Sequence, residues 1–470
     1  MNTTTLTRTF SFVFAPAGAG ADYVLPAVSD RALARGWLWL ALFALVGSGL
    51  FSVLLVLART PGVNAWLPAG DFFRTALVVH VDLSVLVWFV AIAGLLWNVN
   101  GAPGRGRAWN EFALALCGAG TALMIVAPFT GPVLGGAPVM ANYVPLLDGP
   151  VFLTALATFG LGAAVLIARA LVHAPRIGPR VDGQAALRFG LNAAAVAGAV
   201  ALLAFAWSLV VVPRTLPDKT YYEILFWGGG HALQFVWTLL MLVGWLALAC
   251  ACGARVPLTP RVALLLFMLA LVSVFVTPVA YLAHHVVTVE HRAWHTWAMR
   301  FGGGVAIVPV ALAVMVALAL SRRPLAPVQR PLRAALLASM LLFASGGVIG
   351  LTIGGANVKI PAHYHGCIVG VTLALMGLVF HLLPRLGYGA PQGRLAVAQP
   401  WVYGAGQLMH IVGLVWSGGY GVQRKVAGAE QVLRSTGEIA GMGLMGAGGL
   451  LAIVGGLLFV VVVAGAVRRR

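Results

Sequence analysis

The chain has 470 residues, 61% of them hydrophobic and 9% charged, with a mean hydropathy of +0.96. A soluble fold of that composition would leave more apolar surface in water than it can bear, so the soluble classes are excluded. Lys and Arg number 30 against 12 Asp and Glu, a formal charge of +18. Most of the arginines gather in alternate loops, which is the orientation signal of a membrane protein and not the footprint of a nucleic-acid binder.

Residues 1–35 are polar, carry no apolar run and read as a cytoplasmic tail, not a cleaved leader. Residues 36–470 read as a single all-α transmembrane domain, with spans at 36–58, 73–98, 109–128, 149–172, 189–213, 222–252, 262–286, 296–320, 334–354, 364–383, 401–418 and 438–467. A bilayer core of roughly 30 Å needs helices of about 20 apolar residues. The loops with Arg105/Arg107, Arg176/Arg180, Arg255/Arg261, Arg322/Arg323/Arg330/Arg333 and Arg385/Arg394 share one side with the Arg468–Arg470 tail. That side is expected to be the cytoplasm, and an even number of spans puts both termini there. The 58 glycines suit helices that approach one another, or a flat cofactor, closely. Cys117, Cys250, Cys252 and Cys367 all lie in apolar segments, so no disulfide framework is expected, and Cys250-x-Cys252 reads as small-residue packing.

Six of the eleven histidines sit at span ends or inside spans of the outer half: His80, His231, His284, His285, His363 and His365. A lone membrane histidine reads as a packing residue. Six at similar depth on four helices read as ligands, because imidazole binds iron, copper and zinc. In "IPAHYHGCIVG", His363 and His365 lie about 200° apart on a helix and point to opposite sides. His284 and His285 lie about 100° apart, near enough to share one metal if His231 closes the set. Gly228–Gly230 remove side chains where a large planar group would need room. His80 then pairs with one histidine of span ten. The count fits one bis-His haem, one five-coordinate haem and a three-His metal facing it, and the free sixth position permits diatomic chemistry.

Specific motifs carry the same arrangement. "ILFWGGGHALQF", "YLAHHVVTV", "AHYHG", "VFHLLPRLGY" and "SGGYGVQRK" make the twelve-span core resemble subunit I of the haem-copper oxidase superfamily. The resemblance implies a twelve-helix bundle with two haems and one copper ion, copper B. His80 and His365 would ligate the low-spin haem, and His363 the high-spin haem. His231, His284 and His285 would hold copper, and Arg424 and Lys425 would pair with haem propionates. Electrons would pass through the low-spin haem to the haem–copper pocket.

The departures concern the substrate. Phe235 stands where oxygen reductases carry Tyr and typical nitric oxide reductases carry Glu, and Gln234 is the nearest polar replacement. Leu233 and Ala313 stand where the family's two cytoplasmic proton inputs begin, and "GGANVKIPAH" is too short for the family's magnesium site. Reducing nitric oxide to nitrous oxide takes two electrons and two protons and no strongly oxidising intermediate, so this pattern favours a nitric oxide reductase of the oxidase-like kind. The alternative is an oxygen-reducing cytochrome c oxidase, with Tyr281 as the displaced phenol.

Neither a Cys-rich copper centre nor a Cys-x-x-Cys-His haem attachment is present. A cupredoxin-like or cytochrome c-like subunit is therefore expected, fed by soluble cytochrome c or a cupredoxin, in a bacterial inner membrane. Asp82 reads as a hydrogen-bonding group between helices or a proton relay, and Glu223 and Glu290 as caps or a proton inlet. His291 and His295, in an outer loop, read as propionate or water contacts and not as a metal site. Gln407 and His410 read as support beneath the propionate loop.

Overall fold

The computed structural model describes residues 22–63, 70–427 and 430–469. Eleven helices among them are long and apolar enough to cross a bilayer. These are α1 (Arg31–Arg59), α2 (Phe72–Asn100), α3 (Arg107–Phe129), α4 (Pro150–Val172), α5 (Gly183–Val211), α6 (Asp218–Ala251), α7 (Pro260–Ala283), α8 (Val289–Leu320), α9 (Gln329–Gly350), α10 (Lys359–Leu382) and α12 (Thr436–Arg468). Between the last two runs α11 (Arg394–Gly419), which completes twelve. A hairpin of β1 (Ala137–Val139) and β2 (Leu146–Asp148) lies between α3 and α4, with Val139 opposite Leu146.

Leu50, Val210 and Leu282 are 71%, 84% and 77% exposed. Side chains of that size turn outward in such number only toward lipid. Innermost are α6 and α10, with 83% and 78% of their most apolar stretches buried, against 33% for α3, α7 and α12. The expected histidine carriers thus include the two most enclosed helices.

Residues 1–21 of the expected tail lie outside the described residues. From Asp22 onward the chain packs on the bundle: Tyr23 and Leu25 are buried, and Tyr23 Oη donates to the Leu258 carbonyl at 2.8 Å. The first helix starts at Arg31, ahead of the expected 36. Asp30 caps it by accepting from Leu33 N at 3.1 Å, and Arg35 donates to the Leu386 carbonyl, so the polar first turns are satisfied. Cys250 Sγ accepts from Tyr23 N.

Two helices carry π turns, Asp82–Val87 in α2 and Ala298–Gly302 in α8. In α7 the helix breaks at Phe275, because Pro278 has no N–H for the carbonyl of Val274. It ends at Ala283, short of the expected 286, and His284 has extended backbone (φ −139°, ψ 140°). Span eight starts at Val289 and not at 296, since Thr288 Oγ1 caps it by accepting from His291 N at 3.3 Å.

α9 and α10 cross through two glycines. A Cβ on Gly366 would lie 2.7 Å from Gly346 N and 3.2 Å from the Leu342 carbonyl oxygen, so the backbones touch. That approach delivers the Gly346 carbonyl to His363 Nδ1, at 2.8 Å. Gly366→Val should therefore part the helices at an overpacking cost of about 1–3 kcal/mol. The expected outcome is a lower thermal midpoint in detergent, with Gly347→Ala, which faces open space, as the neutral control.

Candidate haem and metal centre

An imidazole can ligate only through a nitrogen that carries no proton, so its other nitrogen must hold the proton and place it. His80 Nδ1 lies 3.0 Å from the Ser48 carbonyl, His363 Nδ1 2.8 Å from the Gly346 carbonyl and His231 Nδ1 2.8 Å from the Trp227 carbonyl. Each is thereby the Nδ1–H tautomer, which leaves Nε2 without a proton. This donor set fits axial haem ligation by His80 and His363 and metal ligation by His231.

His80 stands two residues before the π turn of α2. The π turn shifts the hydrogen-bond register, and the His80 carbonyl accepts from Ser84 Oγ at 2.6 Å and Ser48 Oγ at 3.2 Å. On α10, His363 turns to α9, and His365 turns to α11, where its ring lies 4.7 Å from that of His410. Gln407 lies beside His365, and His410 Nδ1 donates to the Met445 carbonyl at 3.0 Å. The two residues flank His365, a contact that the sequence pattern, which put them beneath the propionate loop, does not specify.

Near the expected propionate loop, Arg424 hydrogen-bonds Tyr364, the residue between the two α10 histidines. Lys425 Nζ donates to the Met140 carbonyl at 2.6 Å and to Asn142 Oδ1 at 3.0 Å. Asn142 in turn donates from N to Glu223 Oε2 at 3.0 Å and from its amide to Glu223 Oε1. Burial, with Arg424 and Lys219 nearby and Glu223 opposing, lowers the Lys425 pKa to about 8. A depressed lysine pKa means the charge is lost as pH rises through 8, earlier than the usual 10.4. Lys425→Arg, which keeps its charge throughout, should remove any fall in activity that sets in above about pH 8, as a pH–rate profile of the two forms will read.

This anchored hairpin carries a residue that the sequence pattern does not flag. Tyr143 Oη lies 3.0 Å from His231 Nε2, with ring centroids 4.8 Å apart. Burial first, then Tyr364 and Glu223, hold its pKa well above the usual 10, so the phenol stays an O–H donor to His231. The three glycines before His231 make these contacts possible. A Cβ at Gly228 would meet Tyr281 Oη at 2.5 Å, one at Gly229 the Phe205 ring and one at Gly230 the Tyr143 ring. The expected space for a planar group is filled by three aromatic rings.

The expected copper set is not brought together. With His284 in extended backbone the 100° helical relation to His285 does not apply, and both histidines lie near His291. His284 packs edge-on to Trp294 at 5.3 Å, and His285 is exposed. Instead, His295 lies 5.7 Å from the His231 ring and 4.7 Å from His291, and both are buried. The expectation that His291 and His295 sit in an outer loop is therefore corrected: they occupy the first turns of α8, facing His231. Among the described residues no three His, Cys, Asp or Glu side chains close around one point as they stand.

Tyr281 stands 4.6 Å from the His291 ring, while its Oη is held by Ser208 Oγ at 2.6 Å and by the Ala204 carbonyl at 3.1 Å. Phe235 is buried one turn beyond His231. Gln234 shows no side-chain hydrogen bond among the described residues. Asp82 is 1% exposed and neither carboxyl oxygen has a partner, so it is not the helix-to-helix hydrogen-bonding group expected.

Known proteins share both sequence and fold with the chain. Residues 32–457 match the family "Cytochrome C and Quinol oxidase polypeptide I". An uncharacterized protein of Rickettsia prowazekii is 27% identical, covering 92% of this chain and 95% of its own. One of Aquifex aeolicus is 29% identical, with 76% and 86% covered. Cytochrome c oxidase subunit 1 of Thermus thermophilus is 25% identical, with 78% and 71% covered. Among solved structures, a heme-copper terminal oxidase dimer determined by cryo-electron microscopy superposes with a TM-score of 0.69 at 17% identity, over 94% of this chain and 85% of that one. The match over residues 32–457 and the shared fold agree, and the chain belongs to the cytochrome c and quinol oxidase polypeptide I family, as a haem-copper oxidase subunit I.

Proposed function

We propose that this subunit is the catalytic chain of a respiratory terminal reductase whose main substrate is nitric oxide. The haems and copper typical of the family would, when bound, supply the electron path and a two-metal pocket for a diatomic gas. In this reading His80 and His365 hold the low-spin haem and His363 the high-spin haem. His231 holds the third metal together with a histidine pair from residues 284–295. Arg424 and Lys425 stand where propionates end. An electron-donating subunit of cupredoxin or cytochrome c type, fed by a soluble donor of the same kind, completes the chain in a bacterial inner membrane with both termini cytoplasmic.

Phe235 carries the substrate reading. It is buried one helical turn beyond His231, so that position of α6 offers neither a phenol nor a carboxylate to the site. Proton supply agrees with it. Polar groups approach His231 from the end of the bundle away from the arginine-rich loops, through Glu223, Asn142, Lys425 and Tyr143. Toward the other end, the positions of the family's proton inputs are Leu233 and the buried Ala313. Tyr143, held beside His231, can give its proton to the pocket and recover one from that polar cluster, and the packed rings at Gly228–Gly230 keep bulk water away.

One observation favours oxygen instead. Tyr143 and Tyr281 place two phenols beside the histidine cluster, so a helix-six tyrosine is not the sole possible source of one. Gas turnover with an artificial donor separates the two readings. Nitrous oxide production should exceed oxygen consumption, and Tyr281→Phe should leave it within about threefold, under 1 kcal/mol of barrier. Tyr143→Phe should slow nitric oxide turnover by roughly 10²-fold or more, the size of a lost proton donor. Fast oxygen uptake abolished by Tyr281→Phe, with negligible nitrous oxide, would reverse the assignment.

A further inference from the structure

Arg59, the last residue of α1, stands between the histidines at His365 and the loop that carries Arg424. We propose that its guanidinium binds a propionate carboxylate of the low-spin haem and thereby raises that haem's affinity for an electron. The inference rests on the haem-copper reading for the identity of the cofactor.

Placement is the first ground. Arg59 Nη2 donates to the Gln423 carbonyl at 3.3 Å, one residue before Arg424 in the "SGGYGVQRK" loop. The same side chain lies close enough to His365 and His410 to act on both electrostatically, as does His80. Lys425, by contrast, turns to Met140 and Asn142, on the His231 side. The basic groups are thus divided, with Arg59 beside the bis-His pair.

Charge is the second. A guanidinium stays protonated at any working pH. Arg59 Nε donates to Gln431 Oε1 at 3.2 Å, and Gln431 Nε2 donates back to the Arg59 carbonyl at 3.0 Å, so a buried amide holds the residue in place. Both acceptors of the guanidinium are neutral, and both bonds are longer than the about 2.7–2.9 Å of a charge-assisted one. No carboxylate forms an ion pair with Arg59 among the described residues. Glu430, next to Gln431, is committed to Arg74 at 2.7 Å. The planar fork, with Nη1 free of hydrogen bonds among the described residues, suits a carboxylate brought by a ligand. A haem carries such carboxylates as its propionates. An electron added to a haem is negative charge, so a fixed cation at the haem's edge favours the reduced form.

A redox titration of the purified complex, read at the reduced bands of each haem, tests this. Arg59→Gln should lower the electron affinity of the low-spin haem roughly tenfold, about 59 mV for a one-electron couple, and leave the high-spin haem within about threefold. Arg59→Lys, which keeps the charge, should stay within about threefold of the wild type. Gln431→Glu leaves Arg59 in place but gives it a carboxylate from the chain itself. It should reproduce the fall, and it decides the matter should Arg59→Gln fail to fold. Infrared difference spectra with ¹³C-labelled propionates should show a shifted carboxylate band in Arg59→Gln. An unmoved low-spin potential in Arg59→Gln or Gln431→Glu overturns the proposal, as does an equal shift of both haems, a Lys variant as low as the Gln one, or an unmoved propionate band. A wild-type complex without haem bands sinks the haem reading itself, and the role of Arg59 with it.

Discussion

An imidazole inside a bilayer serves as a ligand only while it is neutral and one nitrogen carries no proton; burial disfavours the charged ring, and a carbonyl bonded to Nδ1–H keeps the proton off Nε2. Six histidines here have that bond, at distances of 2.8 to 3.3 Å: His80, His231, His291, His295, His363 and His410. Spare carbonyls are scarce in a bilayer, because helices consume their own. For His231 and His295 the acceptor is the carbonyl four residues back. For His80, His363 and His410 it lies on another helix, so the helices must come close. The contact of Gly346 with Gly366 is how one of them does so. Helix packing and ligand chemistry are one constraint here.

The irregular helices follow from the same scarcity. A π turn or a break frees carbonyls and re-aims side chains, and each such feature lies near a histidine: the turn after His80, the break in α7 before His284, the π turn of α8 after His295. Ser84 and Ser48 take up the carbonyl of His80, so the distortion leaves no orphan there. The end of α7 has the opposite effect. It releases His284 into extended backbone and hands the inward-facing position to the next helix.

Twelve helices, their order and the opposite-face pair on α10 were legible in the sequence, because hydropathy and a one-residue gap on a continuous helix report local geometry. What was not legible depends on where helices stop. Glu290, His291 and Arg292 depress hydropathy, which pushes the apparent start of span eight to 296. The cap at Thr288 begins the helix at Val289 and makes an apparent loop pair into a buried helical one. Tyr143 was hidden for another reason. It reaches His231 only because a hairpin, held by Glu223 and Lys425 from distant segments, lies over Gly230. No local spacing encodes that contact.

The polar groups around His231 also give the site a direction. Glu223, Asn142, Tyr143, Tyr364 and Lys425 are tied together at one end of the bundle by bonds between α6, α10 and two loops. Beyond His231 toward the other end, α6 turns apolar and is buried from Phe235 to Ala249. A proton crossing that stretch would leave water for a region with hardly a side chain to receive it, and the cost of an uncompensated charge there is several kcal/mol at least. Chemistry that draws protons from the polar end meets no such barrier. In the proposed reading, the buried apolar stretch of α6 offers protons no carboxylate between His231 and the arginine-rich side.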